Sequence, residues 1–346
     1  MAFSTIIKPQ DYFNTKLYTG DASSSNAITG VGFEPSWTWL KGRNIAESHR
    51  LYDAVRGASN YITSNSTGAQ SNSIPLTSFN ADGFTIGTND DSVNGSYNYA
   101  SWNWKANGAG SSNTDGSITA TVSANTTSGF SLVKWTGTAS AGTIGHGLGV
   151  APKIVIVKRY STSGGGWLMQ NSNLTSASYV LKLNAVDAES NDGANFNSTA
   201  PTSSVFSVYN SNNTNASGAD HIAYCFADVQ GYSKMGSYIG NGNADGTFVY
   251  TGFKPAFVMT KPSSGSGSWY MLDNKRANPF NAVTGRLEAD GSGTENTGFT
   301  WCDFTSNGFK IRTTEGGINA SGVTYIYMAF AESPFVANSG ESIPTT

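Results

Sequence analysis

The sequence predicts an all-β chain of three tandem, homologous β-sandwich modules, jelly-roll-like in form and each of roughly 100 residues. Three observations predict it. One phrase is written three times, short alternating strands recur between Gly-rich turns, and helical periodicity is nearly absent. The phrase is "KLYTGDASSSNAITGVGFEP" ending at Pro35, "VKWTGTASAGTIGHGLGVAP" ending at Pro152, and "GSYIGNGNADGTFVYTGFKP" ending at Pro255. From Gly20, Gly137 and Gly240 to the closing Pro the distance is fifteen residues each time.

The elements after each Pro keep register. First comes an apolar strand: "SWTWLKGR", "KIVIVKRY" and "AFVMTKPS". Next, Asp53, Asn171 and Asp273 stand 18, 19 and 18 residues past the Pro. Asn65, Asn184 and Asp290 follow, and five residues further on come Gln70, Glu189 and Glu295. Phe84, Phe206 and Phe309 mark a later strand, and Trp104, Phe226 and Phe330 lie 20, 20 and 21 residues beyond them. The turns are Asx-Gly types, such as "ADG" before Phe84 and "SNG" before Phe309. Residues 46–62 alone have helical character, and within them Leu51-Tyr52-Asp53 reads as a strand or strand end.

These registers divide the chain into an N-terminal docking segment (1–10), module 1 (11–107), a Gly/Ser-rich linker (108–126), module 2 (127–229), module 3 (230–333) and a polar tail (334–346). The linker opens "GAGSSNTDGS", a flexible or surface composition. The docking segment carries "FSTII", apolar enough to add a strand to another subunit's sheet. Exposed β edges on a chain with only 12 % charged residues call for cover by neighbouring modules, symmetry mates or another protein.

Composition excludes several functions. A net charge of -3 with 20 Lys and Arg is too little basicity for a nucleic-acid binder. No apolar run reaches the length of a membrane-spanning helix. The start "MAFSTIIKPQDYF" does not read as a signal peptide, so synthesis in a reducing cytoplasm is expected. Cys225 and Cys302 read as two separate buried thiols. His49, His146 and His221 sit at non-equivalent places with no metal-ligand spacing, so neither metal nor cofactor is expected. The loop "GTIGHGLG" feeds a strand, the wrong order for a dinucleotide loop. Catalytic carboxylates are not expected either, since Gln70 stands where Glu189 and Glu295 stand. The chain therefore reads as a non-enzyme.

Two features remain as candidate sites. Asp53–Arg56 recurs as Asp273–Arg276, an ion pair that pins a strand end to its loop. Eight Trp exceed what three small cores require, which makes Trp167, Trp269 and Trp301 candidates for stacking on a sugar ring. Asn65, Asn184 and Asp290 are the polar partners of such a site, on turns expected to face outward.

The phrases "ITGVGFEPSWTWLKGR", "LYDAVRG", "LTSFNADGFTIG", "HGLGVAPKIVIVKR" and "IAYCFADVQGYSKMGSY" resemble an uncharacterised family of tailed-bacteriophage proteins, structural or tail-fibre-like and common in marine phages. The resemblance covers nearly the whole chain and implies a virion component. With the exposed edges and the candidate tryptophans, the expectation is a multi-copy subunit, trimeric if a fibre, that contacts other virion proteins and a host-surface glycan. A head-decoration protein is the alternative within that class, and a polysaccharide depolymerase the alternative outside it.

Overall fold

The computed structural model describes residues 4–276 and 281–334. Nearly every element is a strand. The first unit holds β1 (Phe13–Thr19), β2 (Asn26–Thr29), β3 (Trp37–Gly42), β4 (Arg50–Asp53), β5 (Tyr61–Ile62), β6 (Leu76–Asn80), β7 (Gly83–Ile86) and β8 (Asn98–Trp104). The second holds β9 (Ser111–Asn113), β10 (Ala120–Asn125), β11 (Phe130–Thr136), β12 (Gly142–Gly145), β13 (Ile154–Arg159), β14 (Trp167–Asn171), β15 (Tyr179–Lys182), β16 (Ser190–Asn191), β17 (Val205–Val208) and β18 (Asp220–Phe226). The third holds β19 (Ser233–Ile239), β20 (Phe248–Tyr250), β21 (Phe253–Pro262), β22 (Tyr270–Asp273), β23 (Ala282–Val283), β24 (Arg286–Glu288), β25 (Cys302–Thr305), β26 (Gly308–Ile311) and β27 (Thr324–Pro334), with one helical turn, α1 (Gly316–Asn319).

Strand order recurs from unit to unit. The large sheets run β1-β8-β3-β4-β5, β11-β18-β13-β14-β15 and β19-β27-β21-β22-β24, all antiparallel. Each is faced by a small sheet: β2-β7-β6, β12-β17 and β20-β26-β25-β23. Between the two sheets of each unit lies an outer core, around Phe84 in the first, Phe206 in the second and Phe309 in the third.

The other faces of the three large sheets share one further core. At its centre Trp104, Phe226 and Phe330 meet edge to face, with ring centroids 5.6–6.4 Å apart. Around them Trp37 stacks toward Tyr224 at 4.4 Å, and Phe13 packs on Phe330 at 5.0 Å. The large sheets are therefore buried on both faces, which is why β3 and β13 carry almost no exposed residue. The three units close in a ring about this aromatic axis.

The repeated Gly of the opening phrase has a steric cause. The strand ends of Gly20, Gly137 and Gly240 press on the loop before the last strand, and a Cβ would lie 1.9, 2.2 and 2.3 Å from Gly95 O, Ala216 O and Ala320 O. The loop itself is pinned by buried Asn94, Asn215 and Asn319, whose side chains bond the segment just past that Gly.

Two sequence expectations need correction. Residues 108–126 are not a free linker: β9 and β10 extend the second large sheet beyond β11. Ala120 and Val122 are buried in that unit's outer core. The segment ahead of module 1 is not free to dock elsewhere. Ser4 and Ile6 are buried, Ile6 in the axial core, and the Gln10 amide donates to Glu332 O of β27. A Cβ on Gly231 would touch Ser4 and Pro334, so the described part of the segment closes the ring on the third unit. Pro334 ends β27; the rest of the tail and residues 1–3 lie outside the described residues.

Candidate functional site

The residues singled out in the sequence gather at the joints between units. Asp53 ends β4, and its carboxylate accepts the backbone N–H of Arg56 at 2.9 Å and Arg56 Nε at 2.6 Å. Arg56 Nη2 donates to Leu51 O. Both side chains are buried. This is the strand-to-loop pin expected from sequence, but it also crosses a joint: the Tyr224 hydroxyl of the second unit donates to Asp53 Oδ2 at 3.0 Å. Asp273 repeats the arrangement with Arg276, and there the crossing donor is Trp102 Nε1 of the first unit, at 2.9 Å. Burial opposes the Arg56 charge, but Asp53, by charge and hydrogen bond, together with Tyr224 and Tyr160 outweighs it, so the guanidinium pKa is raised. Burial, then Asp53, push the Tyr224 hydroxyl well above its ordinary value.

The third joint is neutral. Asn171 stands in the Asp position, Leu174 in the Arg position and Met328 in the donor position. The Asn171 carbonyl caps Asn173 N at 2.8 Å, and its Nδ2 has no partner among the described residues. Gln70, Glu189 and Glu295 follow the same logic. Glu295 Oε1 pairs with Arg276 at 2.8 Å and its Oε2 with Arg43 of the first unit, whereas Glu189, with no Arg to meet, accepts Thr175 N and Oγ1.

A second set of bonds runs around the ring. Trp167 Nε1 donates to Thr63 O of the first unit, and Trp269 Nε1 to Lys182 O of the second, both at 2.9 Å. His49 holds the equivalent place: its Nδ1 accepts Trp39 Nε1, so Nε2–H donates to Glu288 O of the third unit at 2.8 Å. Burial, then nearby Lys41, push the His49 pKa down to about 3. Backbone bonds Gln70 N to Tyr160 O, Glu189 N to Ser263 O and Glu295 N to Arg43 O complete the circuit. Asn184 and Asp290 accept the backbone N–H of Trp167 and Trp269 at 2.8 Å, and Asn65 that of His49 at 3.4 Å.

Three lysines, Lys41, Lys158 and Lys261, occupy one register position of β3, β13 and β21 and are buried. Their ammonium groups donate to backbone carbonyls, Gly42, Gly165 and Gly267 among them. Burial pushes all three down to about 8.

The stacking role expected of the tryptophans is overturned. Trp167, Trp269 and Trp301 are at most 1 % exposed. The first two are spent on the joints, and Trp301 lies in the outer core of the third unit, its Nε1 donating to Thr284 O. Asn65, Asn184 and Asp290 are half-buried strand caps, not outward turns. The axial core was missed because each module was counted as having one buried face; Trp37, Trp39, Trp102 and Trp104, four large rings on one face of two alternating strands, were the available signal. Cys225 and Cys302 are free, buried thiols of different outer cores.

Fold and joints together define a class: an all-β, sandwich-like chain of antiparallel sheets packed round one shared aromatic core. The chain belongs to the family described as "Domain of unknown function (DUF7483)", whose model matches residues 8–334, the whole ring rather than one unit. No curated protein and no solved structure is significantly similar to it.

Proposed function

We propose that the protein is a structural component of a tailed-bacteriophage virion, made in the bacterial cytoplasm and carried on a tail fibre or similar appendage that attaches to host-surface glycan. The observation that carries this reading is the use of the chemistry-bearing side chains. The recurring Asp–Arg pairs, histidine and tryptophans are built into joints that hold shape. Among the described residues no group of three or more His, Cys, Asp or Glu is placed to hold a metal. The resemblance of the repeated phrases to phage appendage proteins supports the same reading, and other virion proteins are its partners.

Glycan contact passes from the buried tryptophans to the surface of the third unit. There a polar pocket of about 500 Å³ is lined by Arg286, Glu288, Thr294, Asn296 and Thr297. Exposed Phe299 packs on Trp301, and the Arg286 guanidinium also lies over the Trp301 ring. Head decoration is the second reading, favoured by the ring itself, since one chain with three similar units matches a threefold-related surface. Mass spectrometry and gold labelling of purified particles test the proposal. Label on the tail is expected; label on the capsid selects the second reading, and absence from particles sinks both.

A further inference from the structure

The three units treat one equivalent edge differently. It is the gap between the first strand of the large sheet and the first strand of the small sheet. In the first unit, side chains of β1 cross it: Asn14 Nδ2 donates to Val31 O, and Lys16 Nζ lies against Gly30. In the second unit the chain itself fills it. Thr121 of β10 pairs with Lys134 of β11, and Ile118 N donates to Thr143 O of β12, so residues 117–125 bind both free edges at once.

In the third unit that place is open. Ser237 of β19 holds the register of Lys134, and Phe248 of β20 holds the register of Thr143. The backbone N–H and C=O of both turn away from their own ladders and meet no partner among the described residues. One rung lower the edge is capped, since Asp228 accepts Met235 N and Asn173 donates to Met235 O. Between the two strands lies a groove of about 390 Å³ lined by Lys234, Ser237, Tyr238, Phe248 and Tyr250. Two of the large apolar side chains left exposed line it, Tyr250 at 55 % and Phe248 at 45 %, and Ile239, at 60 %, ends β19.

We propose that this groove receives an extended strand from another polypeptide, added to β19 as β10 is added to β11. The chain's own second unit sets the chemistry of the guest. It alternates hydroxyl and small aliphatic residues, as Ser117-Ile118-Thr119-Ala120-Thr121 do, with the aliphatic side chains entering the core and the backbone bonding Ser237 on one side and Phe248 on the other. Such a guest covers an edge that a weakly charged chain leaves unprotected. The inference stands on the comparison of the units and does not depend on the virion reading.

A fluorescent peptide copying residues 117–125, SITATVSAN, is the probe, titrated against the full chain by polarisation. Saturable binding is expected below about 1 mM, with no binding of a scrambled peptide. Ser237→Pro, which removes the edge N–H where an edge strand tolerates proline, and Phe248→Asp should each weaken it at least about tenfold. Both variants should keep the melting temperature of the parent. Absence of saturable binding, or binding that neither folded variant changes, overturns the proposal. Binding only by a chain shortened to residue 334 also overturns it, because residues 335–346 would then hold the groove.

Discussion

The joint where Trp102 meets Asp273 and the joint where Met328 and Asn171 hold the same register positions differ in chemistry. The first buries an ion pair and supplies it with a donor from across the joint; the second has lost the cation, the anion and the donor together. A buried carboxylate without its full set of partners costs several kcal/mol, and a neutral amide left short costs far less. The difference teaches that the charged network is optional for closing the ring but indivisible where present. Across the three joints of this chain the three positions differ together.

The largest test breaks the charged joint. Asp53→Ala, at the other charged joint, leaves Arg56 buried with no carboxylate beside it and should cost about 3–5 kcal/mol by urea unfolding, against about 1 kcal/mol for Asn171→Ala. Equal losses at the two sites would remove the distinction. Next, the neutral joint can be rebuilt. Asn171→Asp alone should cost about 2–3 kcal/mol as an unpaired buried charge, and adding Leu174→Arg with Met328→Tyr should recover most of it. Strict additivity of the three substitutions would show that they do not act as a set.

Removing only the crossing donor is milder. Tyr224→Phe should cost about 1.5–3 kcal/mol, the range for a hydrogen bond to a charged group, whereas Met328→Leu should stay below about 1.5. A Tyr224→Phe variant as stable as the parent would mean that Asp53 is satisfied by Arg56 alone. The smallest effect concerns acid. His49 stands where the other joints have Trp167 and Trp269, and its folded pKa lies near 3, below the ordinary 6.5. A base held neutral in the fold contributes full stability above about pH 6.5 and loses it as pH falls toward 3. Hydrogen-exchange protection of residues 288–295 should therefore drop up to about tenfold at pH 5.5, ahead of residues 182–189. Parallel loss in both segments would clear His49 of the role.

The strand content, the order of landmarks and the Asp–Arg pins were legible because each has a local signature: alternation, a Gly–Pro interval, a charge pair three residues apart. What packs against what was not. The exposed reading of Trp167 and Trp269 failed because period-two alternation reports one buried face, and these sheets bury both. Residues 108–126 read as linker from Gly and Ser, although Ile118, Ala120, Val122 and Ala124 alternate as a strand does. Ser4 gave no local sign that Gly231, more than two hundred residues away, lies against it. The polar pocket by Arg286 is local in sequence, but its walls meet only because Arg286 pairs with Asn296 across the turn after β24.

The meeting of Trp104, Phe226 and Phe330 has a calorimetric consequence. Each ring is the floor on which the other two rest, so no third of the molecule can melt and leave the remainder with an intact centre. Three independent sandwiches would absorb heat in separate events of roughly 70–80 kcal/mol, at ~0.7 kcal/mol per residue near 60 °C. A shared centre merges them into one event of roughly 230 kcal/mol, with calorimetric and van't Hoff enthalpies equal. The transition narrows in proportion to that enthalpy, so the molecule holds its full shape to within a few degrees of failure and then loses all of it together.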